Sequence, residues 1–288
     1  MPAIWSGTDF PYMCLKDRAR TLAFRHAIRS AVRPGDVVID AGAGTGILSF
    51  FAAQVGARRV YAVEIDPLLV TSLRRSIALN GLDDIVTVVA GDASNADLPA
   101  PADVFIGEMI ETGLLDEMQV PVMNALRGRG VITASTRMIP ERYTTFVELV
   151  ADTSSYYGFQ LAGPKHEWPF YAHAQGGWHS TTVTPLTDRV AVARADFHDY
   201  VVPRVASRVT VTGIRDGVAN GLRLSGRVQL TPGISLGATN ALNGDKILHL
   251  DHEVQIAAGE TAELRLQYGL GEGLASLRCN VSPPASCH

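Results

Sequence analysis

Residues 37–46 read VVIDAGAGTG, a β-branched run that gives way at once to Gly42, Gly44 and Gly46. Few features narrow the choice of fold as much. A buried strand has to turn there, and glycine admits backbone paths and close approaches that a side chain forbids. The next stretch, TGILSFFAAQVGA, has helical periodicity and Gly56 at its end. Strand, glycine turn and helix together open a parallel sheet, whose ligands sit outside the carboxyl ends of the strands.

The alternation continues. RVYAVEID is a second strand-like run, and PLLVTSLRRSIALNG a helix with Pro67 at its start and Asn80-Gly81 at its end. IVTVVAGD and ADVFIGE give a third and a fourth strand, VPVMNALRGRG a helix, and GVITAS a fifth strand. Near-continuous apolar strands between helices imply a parallel sheet covered on both faces. Ahead of it, CLKDRARTLAFRHAIRSAV fits one helix with Leu15, Leu22, Ala23, Ile28 and Val32 on its apolar face. Past Pro140 the period changes to short alternating runs, from YTTFVELV to SLRCNVS, with Gly, Asn, Asp and Pro between them. The reading is therefore α/β followed by all-β. A helical lid segment covers residues 1–34, a Rossmann-like sheet domain 35–139, and a barrel-like module 140–288. The stretch from Ser154 to Ser180, rich in aromatics, His and Gly, fits neither period and reads as an ordered loop.

Composition narrows the function classes. A chain of 288 residues, 47% of them apolar, can build such cores, and its net charge of −4 does not match the basic stripe of a nucleic-acid binder. Cys14, Cys279 and Cys287 are odd in number and lack metal-ligand spacing, which favours a cytoplasmic, reducing setting over a disulfide framework or zinc site. The beginning, MPAIWSGTDF, is neither basic nor followed by a long apolar run, so no signal peptide or membrane span is expected.

A nicotinamide-binding turn needs glycine or alanine three positions after its second glycine, and Ile47 stands there. The spacing G-x-G-x-G, with Asp40 two residues ahead, resembles the S-adenosylmethionine loop of Rossmann-like methyltransferases, whose ligand has no pyrophosphate to cradle. Glu64 closes the second strand, where a carboxylate accepts from ribose hydroxyls. Asp92 closes the third, where an acid accepts from the adenine amino group. The plain alternative is a tight turn with solvated acids at the strand ends.

After the fourth strand, FIGEMIETGLLDEM holds four carboxylates: Glu108, Glu111, Asp116 and Glu117. Asp116 and Glu117 precede a helix, where the macrodipole favours acids, but this does not account for Glu108 at a strand end. Two carboxylates facing one pocket repel unless a cation answers them. A guanidinium is such a cation, planar, permanently charged and with a fork of donors that fits both.

LKDRARTLAFR, VVIDAGAGTGILSFFAAQVGARRVYAVE and the loop from Glu108 to Glu117 resemble, in order and spacing, the protein arginine methyltransferases. The resemblance runs from Leu15 to about Arg127 and implies a class I methyltransferase domain followed by a β-barrel. It implies S-adenosyl-L-methionine as cofactor and S-adenosyl-L-homocysteine as product, with a homodimer as the family's assembly. It implies that Arg20 binds the cofactor carboxylate, that Asp40, Gly42 and Gly44 border its methionine part, and that Glu64 binds the ribose. Glu108 and Glu117 then clamp the acceptor guanidinium.

Departures from the family pattern open the identity of the acceptor. Trp5, Phe10 and Tyr12 stand roughly for the lid aromatics, Thr239 alone remains of a Thr-His-Trp loop, and Met109, Ile110 and Glu111 replace Trp-Met-Gly. A smaller acceptor, free arginine or a guanidino metabolite, suits the altered rim. Glu111 either meets that acceptor's ammonium group or is a solvated loop acid. Tyr156, Tyr157, Trp168, Tyr171, His173, Trp178 and His179 either line the substrate rim or pack a loop on the barrel. An arginine-containing peptide as acceptor, another small N or O nucleophile served by Glu108 alone, and a non-catalytic paralogue are the other readings.

Overall fold

Two short helices begin the described chain, α1 (Asp9–Lys16) and α2 (Arg18–Ala31). The computed structural model describes residues 9–169 and 179–282. Sequence periodicity pointed to one helix from Cys14 to Val32, but the chain breaks at Asp17. That carboxylate caps α2 by accepting from the Arg20 amide at 3.1 Å, and its second oxygen accepts from the Ala241 amide at 2.8 Å. An N-cap residue leaves helical backbone to satisfy a helix-end donor, so capping and breaking are the same event. Arg20, Phe24, Ala27 and Ile28 form the buried face of α2, whereas Leu15, expected on it, is exposed.

Five parallel strands follow: β1 (Val37–Ala41), β2 (Arg59–Glu64), β3 (Val86–Ala90), β4 (Val104–Gly107) and β5 (Arg137–Ile139). Their order is β3-β2-β1-β4-β5. Helices α3 (Ile47–Val55), α4 (Pro67–Leu79) and α5 (Gln119–Gly128) connect them. The order turns back at β1, and the carboxyl ends of β1 and β4 therefore flank the crevice in which such sheets bind ligands. Val38, Ile39, Val60, Phe105 and Ile106 are fully buried, which is why these strands read as unbroken apolar runs.

The fifth strand lies later than GVITAS. Thr133 Oγ1 and Thr136 Oγ1 accept from the amides of Ser135 and Thr133, and Thr136 Oγ1 donates to Ala102 O. Hydroxyl residues offer the backbone such local turns in place of a ladder, and pairing with β4 starts only at Arg137.

From Arg142 onward the strands are antiparallel. One sheet runs β10-β6-β12-β14-β8, from β6 (Arg142–Tyr156), β8 (Lys165–Glu167), β10 (Val190–Asp196), β12 (Gly217–Thr231) and β14 (Asp245–Ile256). To it are added β7 (Phe159–Gln160), β9 (His179–Pro185) and β13 (Ile234–Leu236). A second sheet holds β11 (Arg204–Thr212), β15 (Thr261–Gly269) and β16 (Arg278–Ser282).

The stretch read as a loop is partly strand. Tyr157 and Gly158, both at positive φ, turn β6 into β7, and β9 pairs with the far end of β6. One buried apolar cluster runs from Phe24 and Ile106 to Leu222 and Leu264, so the parallel and antiparallel parts share a core. No helix among the described residues is long and apolar enough to cross a membrane.

Candidate active site

A cavity of about 520 Å³ opens at the carboxyl ends of β1, β2 and β4. Arg20, Gly42, Gly44, Glu64, Asp92, Glu108 and Glu117 all line it; Asp40 does not. The glycine turn forms its floor. Gly42, Gly44 and Gly46 all have positive φ, but only the first two face the cavity. A Cβ on Gly46 would lie 2.2 Å from Leu73 Cδ1, so that glycine serves the packing of α3 on α4. A Cβ on Gly44 would meet Pro11 at 3.5 Å, because α1 lies over the turn.

Glu64 fastens the turn to the end of β2. Its Oε2 accepts from the Gly44 amide at 2.7 Å, and Oε1 from the amides of Ile65 and Asp66 at 2.8 and 2.9 Å. A carboxylate offers about four acceptor positions, so one remains for a ligand hydroxyl. Asp92 accepts from the amide and hydroxyl of Ser94. Asp40 lies beneath the turn, 1% exposed, and takes the Ser49 hydroxyl of α3 at 2.6 Å. Burial pushes its pKa up to about 6, with Ser49 opposing. Its geometry is that of a support for the turn rather than a group on the cavity wall.

The four loop acids have three different fates. Glu108, just past β4, pairs with Arg20 Nη2. The guanidinium also donates from Nη1 to Cys14 O at 3.3 Å, and its Nε is buried with no hydrogen-bond partner among the described residues. Burial lowers the Arg20 pKa against the pull of its neighbours.

Glu111 is neither solvated nor on the cavity wall: it is 5% exposed and meets Lys246 of β14. Its Oε1 accepts from the amides of Leu115 and Asp116 at 2.5 and 2.8 Å. Burial pushes its pKa up to about 7 against Lys246. Asp116 is not a helix-end acid either, since α5 starts only at Gln119. Lys246 Nζ lies 2.5 Å from its Oδ2, and Oδ1 accepts from the Leu274 amide at 2.9 Å. Burial opposes its ionisation, but the bond from Lys246 prevails and lowers the pKa.

Glu117 makes no hydrogen bond or ion pair among the described residues and sits on the cavity wall. Burial, then the nearby Glu111, push its pKa up to about 8 against Arg20 and Lys246. The loop carrying it turns at Gly113 (φ 82°), whose amide donates to Tyr143 Oη at 3.1 Å; that hydroxyl donates to Asn243 Oδ1 at 2.8 Å.

Sequence reasoning missed Lys246, and it missed Gly271 and Gly273, which close the cavity from the segment after β15. The crowding of acids did signal a missing cation, but nothing in KILHLDHEVQI marks its first residue as that cation rather than a solvated strand-end lysine. Phe10 lines the cavity and its ring lies 6.2 Å from that of Trp168, which stacks near His166 at 4.3 Å. Tyr156 and His179 pair across β6 and β9 instead, away from the lining. Trp5, Tyr171, His173, Trp178 and Cys287 lie outside the described residues. Thr239 bonds through its amide to Leu242 O, and its hydroxyl is buried without a partner among the described residues.

The wall suits a nucleoside carrying an amino-acid tail. The volume falls in the range of about 300–1,000 Å³ usual for small-ligand sites. Arg20 on the wall can answer a carboxylate, Glu64 a ribose hydroxyl and Asp92 an exocyclic amine, while the bare glycines let a flat ligand approach the backbone.

Comparison with known proteins agrees with this fit. Residues 19–168 match the family model of ribosomal protein L11 methyltransferase (PrmA). An uncharacterised protein of Methanothermobacter thermautotrophicus is 32% identical over 269 residues, covering 93% of this chain and 95% of its own. The arginine N(omega)-methyltransferase of Streptomyces achromogenes subsp. streptozoticus is 26% identical over 278 residues, 88% of this chain and 74% of its own. A probable protein arginine N-methyltransferase 6.1 of Oryza sativa subsp. indica is 36% identical over 146 residues. That match takes in 50% of this chain but only 38% of the rice protein. Among solved structures, the Trypanosoma brucei PRMT1 enzyme-prozyme heterotetrameric complex with AdoHcy contains a chain of the same fold. Its TM-score is 0.77 at 20% identity, covering 96% of this chain and 94% of that one.

Proposed function

Starting from a chain that belongs, as a divergent member, to the protein arginine methyltransferase-like family of S-adenosylmethionine-dependent methyltransferases, we propose that it methylates a guanidino nitrogen of a small acceptor. Free arginine or another guanidino metabolite fits this reading better than a protein. The observation that carries it is the placement of Glu108 and Glu117 on the same cavity wall as Gly42, Gly44, Glu64, Asp92 and Arg20.

In this reading Arg20 holds the cofactor carboxylate, Glu64 the ribose and Asp92 the adenine amine. The bound cofactor supplies an electrophilic methyl group on sulfur and leaves as S-adenosylhomocysteine. Arg20 also fixes one oxygen of Glu108, leaving the other for the acceptor. Glu117, held by no partner among the described residues, supplies the second carboxylate. Together they orient a planar cation and keep its nucleophilic nitrogen from rotating away, and such alignment contributes up to roughly 7–11 kcal/mol in favourable intramolecular cases. A small acceptor is supported by α1 lying over the glycine turn, and by a match to the Streptomyces enzyme along most of this chain.

Labelled cofactor with free arginine, other guanidino compounds and an arginine-rich peptide in parallel, read by mass spectrometry, tests this. Label on the small compounds is expected. Label on the peptide alone overturns the small-acceptor reading, and label on no guanidine overturns the clamp. Glu108→Gln and Glu117→Gln are each expected to abolish turnover while cofactor binding persists. Full turnover by Glu117→Gln would point to a neutral acceptor needing one acid. The homodimer and the cytoplasmic setting belong to the same proposal, tested by light scattering and by fractionation. So does the division at residues 34 and 139, tested by limited proteolysis.

A further inference from the structure

Glu111 and Lys246 lie off the cavity wall, which Lys246 reaches only through Asp116, yet both are charged and buried, at 5% and 2% exposure. Lys246 Nζ meets Glu111 and Asp116, Glu111 gathers two amides of its own loop, and Asp116 takes the Leu274 amide. Together with the bond from Gly113 to Tyr143, this fastens the loop to the antiparallel half at β6, at β14 and after β15. Glu117 follows Asp116 directly and has no hydrogen-bonding or ionic partner among the described residues, so its place on the wall follows from the bonds that hold its loop. A buried ion group costs several kcal/mol to desolvate, and well-packed apolar residues often hold a fold as well or better. A charged fastening makes physical sense here because the next residue has to carry charge.

We propose that Lys246 is a positioning residue of the transfer reaction: by clasping Glu111 and Asp116 it presents Glu117 to the acceptor and balances the charge around it. This rests on the reading of Glu117 as half of the guanidinium clamp. The charged and titratable groups around Glu117 are Glu111 and Asp116 from its own loop, Cys14 and Arg20 from α1 and α2, Lys246 from β14, and Glu108, which lines the same cavity. Arg20 is already engaged by Glu108. Lys246 is therefore the cation whose loss unbalances the loop.

The two partners of the ion pair should act in opposite directions. Lys246→Met leaves Glu111 and Asp116 unanswered and makes Glu117 harder to ionise. Glu111→Gln leaves Lys246 in place and makes it easier. A merely loosened loop would let water in and move both variants the same way. The experiment is an NMR titration of the full chain labelled with 13C at glutamate carboxyls, the Glu117 signal being assigned by its loss in Glu117→Gln. This needs no knowledge of the acceptor.

The Glu117 midpoint is expected to rise by about one unit in Lys246→Met and fall by a comparable amount in Glu111→Gln, as neighbouring charges do. It should stay near the wild-type value in Lys246→Arg. Coincident midpoints, or shifts of one sign, overturn the proposal. Should Lys246→Met fail to fold, Glu111→Gln combined with Lys246→Met removes the buried pair together. That double variant is expected to lower kcat about tenfold or more through misplacement while cofactor affinity holds. Wild-type kcat in it overturns the proposal. Full turnover by Glu117→Gln sinks the clamp instead, a result distinct from an inactive Glu117→Gln whose titration ignores Lys246.

Discussion

In the empty cavity Glu117 is disposed to hold a proton. Its pKa near 8 lies above the ordinary carboxylate value because burial and Glu111 disfavour the charged form. A guanidinium, positively charged throughout this range, has to displace that proton. Below pH 8 the free site is mostly protonated and binding is weakened; above it the acid is already ionised and nothing more is gained. Calorimetric affinity for arginine, measured on enzyme loaded with S-adenosylhomocysteine, should therefore rise about tenfold per pH unit up to near pH 8 and then level off. A flat profile from pH 6 to 9 would contradict this.

At this scale strand-end positions were the legible ones. Gly42, Glu64, Asp92 and Glu108 could be placed because a parallel sheet aims its carboxyl ends at one crevice. Asp40 could not, since one step back along β1 the side chain turns beneath the floor toward Ser49. Lys246 is distant in sequence from the acids it answers, and no local pattern reaches across that gap.

Elements follow the same logic of local against distant causes. Strands β1 and β4 are buried on both faces and announce themselves, whereas β5 is only three residues long and does not. The break between α1 and α2 does not, because periodicity carries straight through Asp17 and only the Ala241 amide, from the far end of the chain, gives its second oxygen a use. Removing that carboxylate in Asp17→Ala should cost about 1–2 kcal/mol from the lost cap alone. The loss of the Ala241 bond adds to it, as read by urea unfolding, and an unchanged midpoint would deny Asp17 both roles. The aromatic segment after Ser154 was read as loop for a related reason. The end of β6 is strand because β9 pairs with it, and β8 because β14 does, neither of which its own composition reveals.

Across the whole molecule, the sequence marked the change of period at Pro140 as a boundary between two units, and the structure joins them. The buried cluster is continuous, and Tyr143, Asn243, Lys246 and Leu274 all hold the loop that follows β4. Heat should unfold the chain in one transition, with calorimetric and van't Hoff enthalpies equal and far-UV and near-UV signals melting together. Two separated transitions would mean that the shared core does not couple the halves. The fastening of the acidic loop to β14 also bears on descent. The glycine turn is tied to Glu64 and Ser49 of the parallel half, whereas Glu111 and Asp116 are tied to a lysine of β14, so drift in a late strand would reshape the acidic loop and leave the glycine turn as it was.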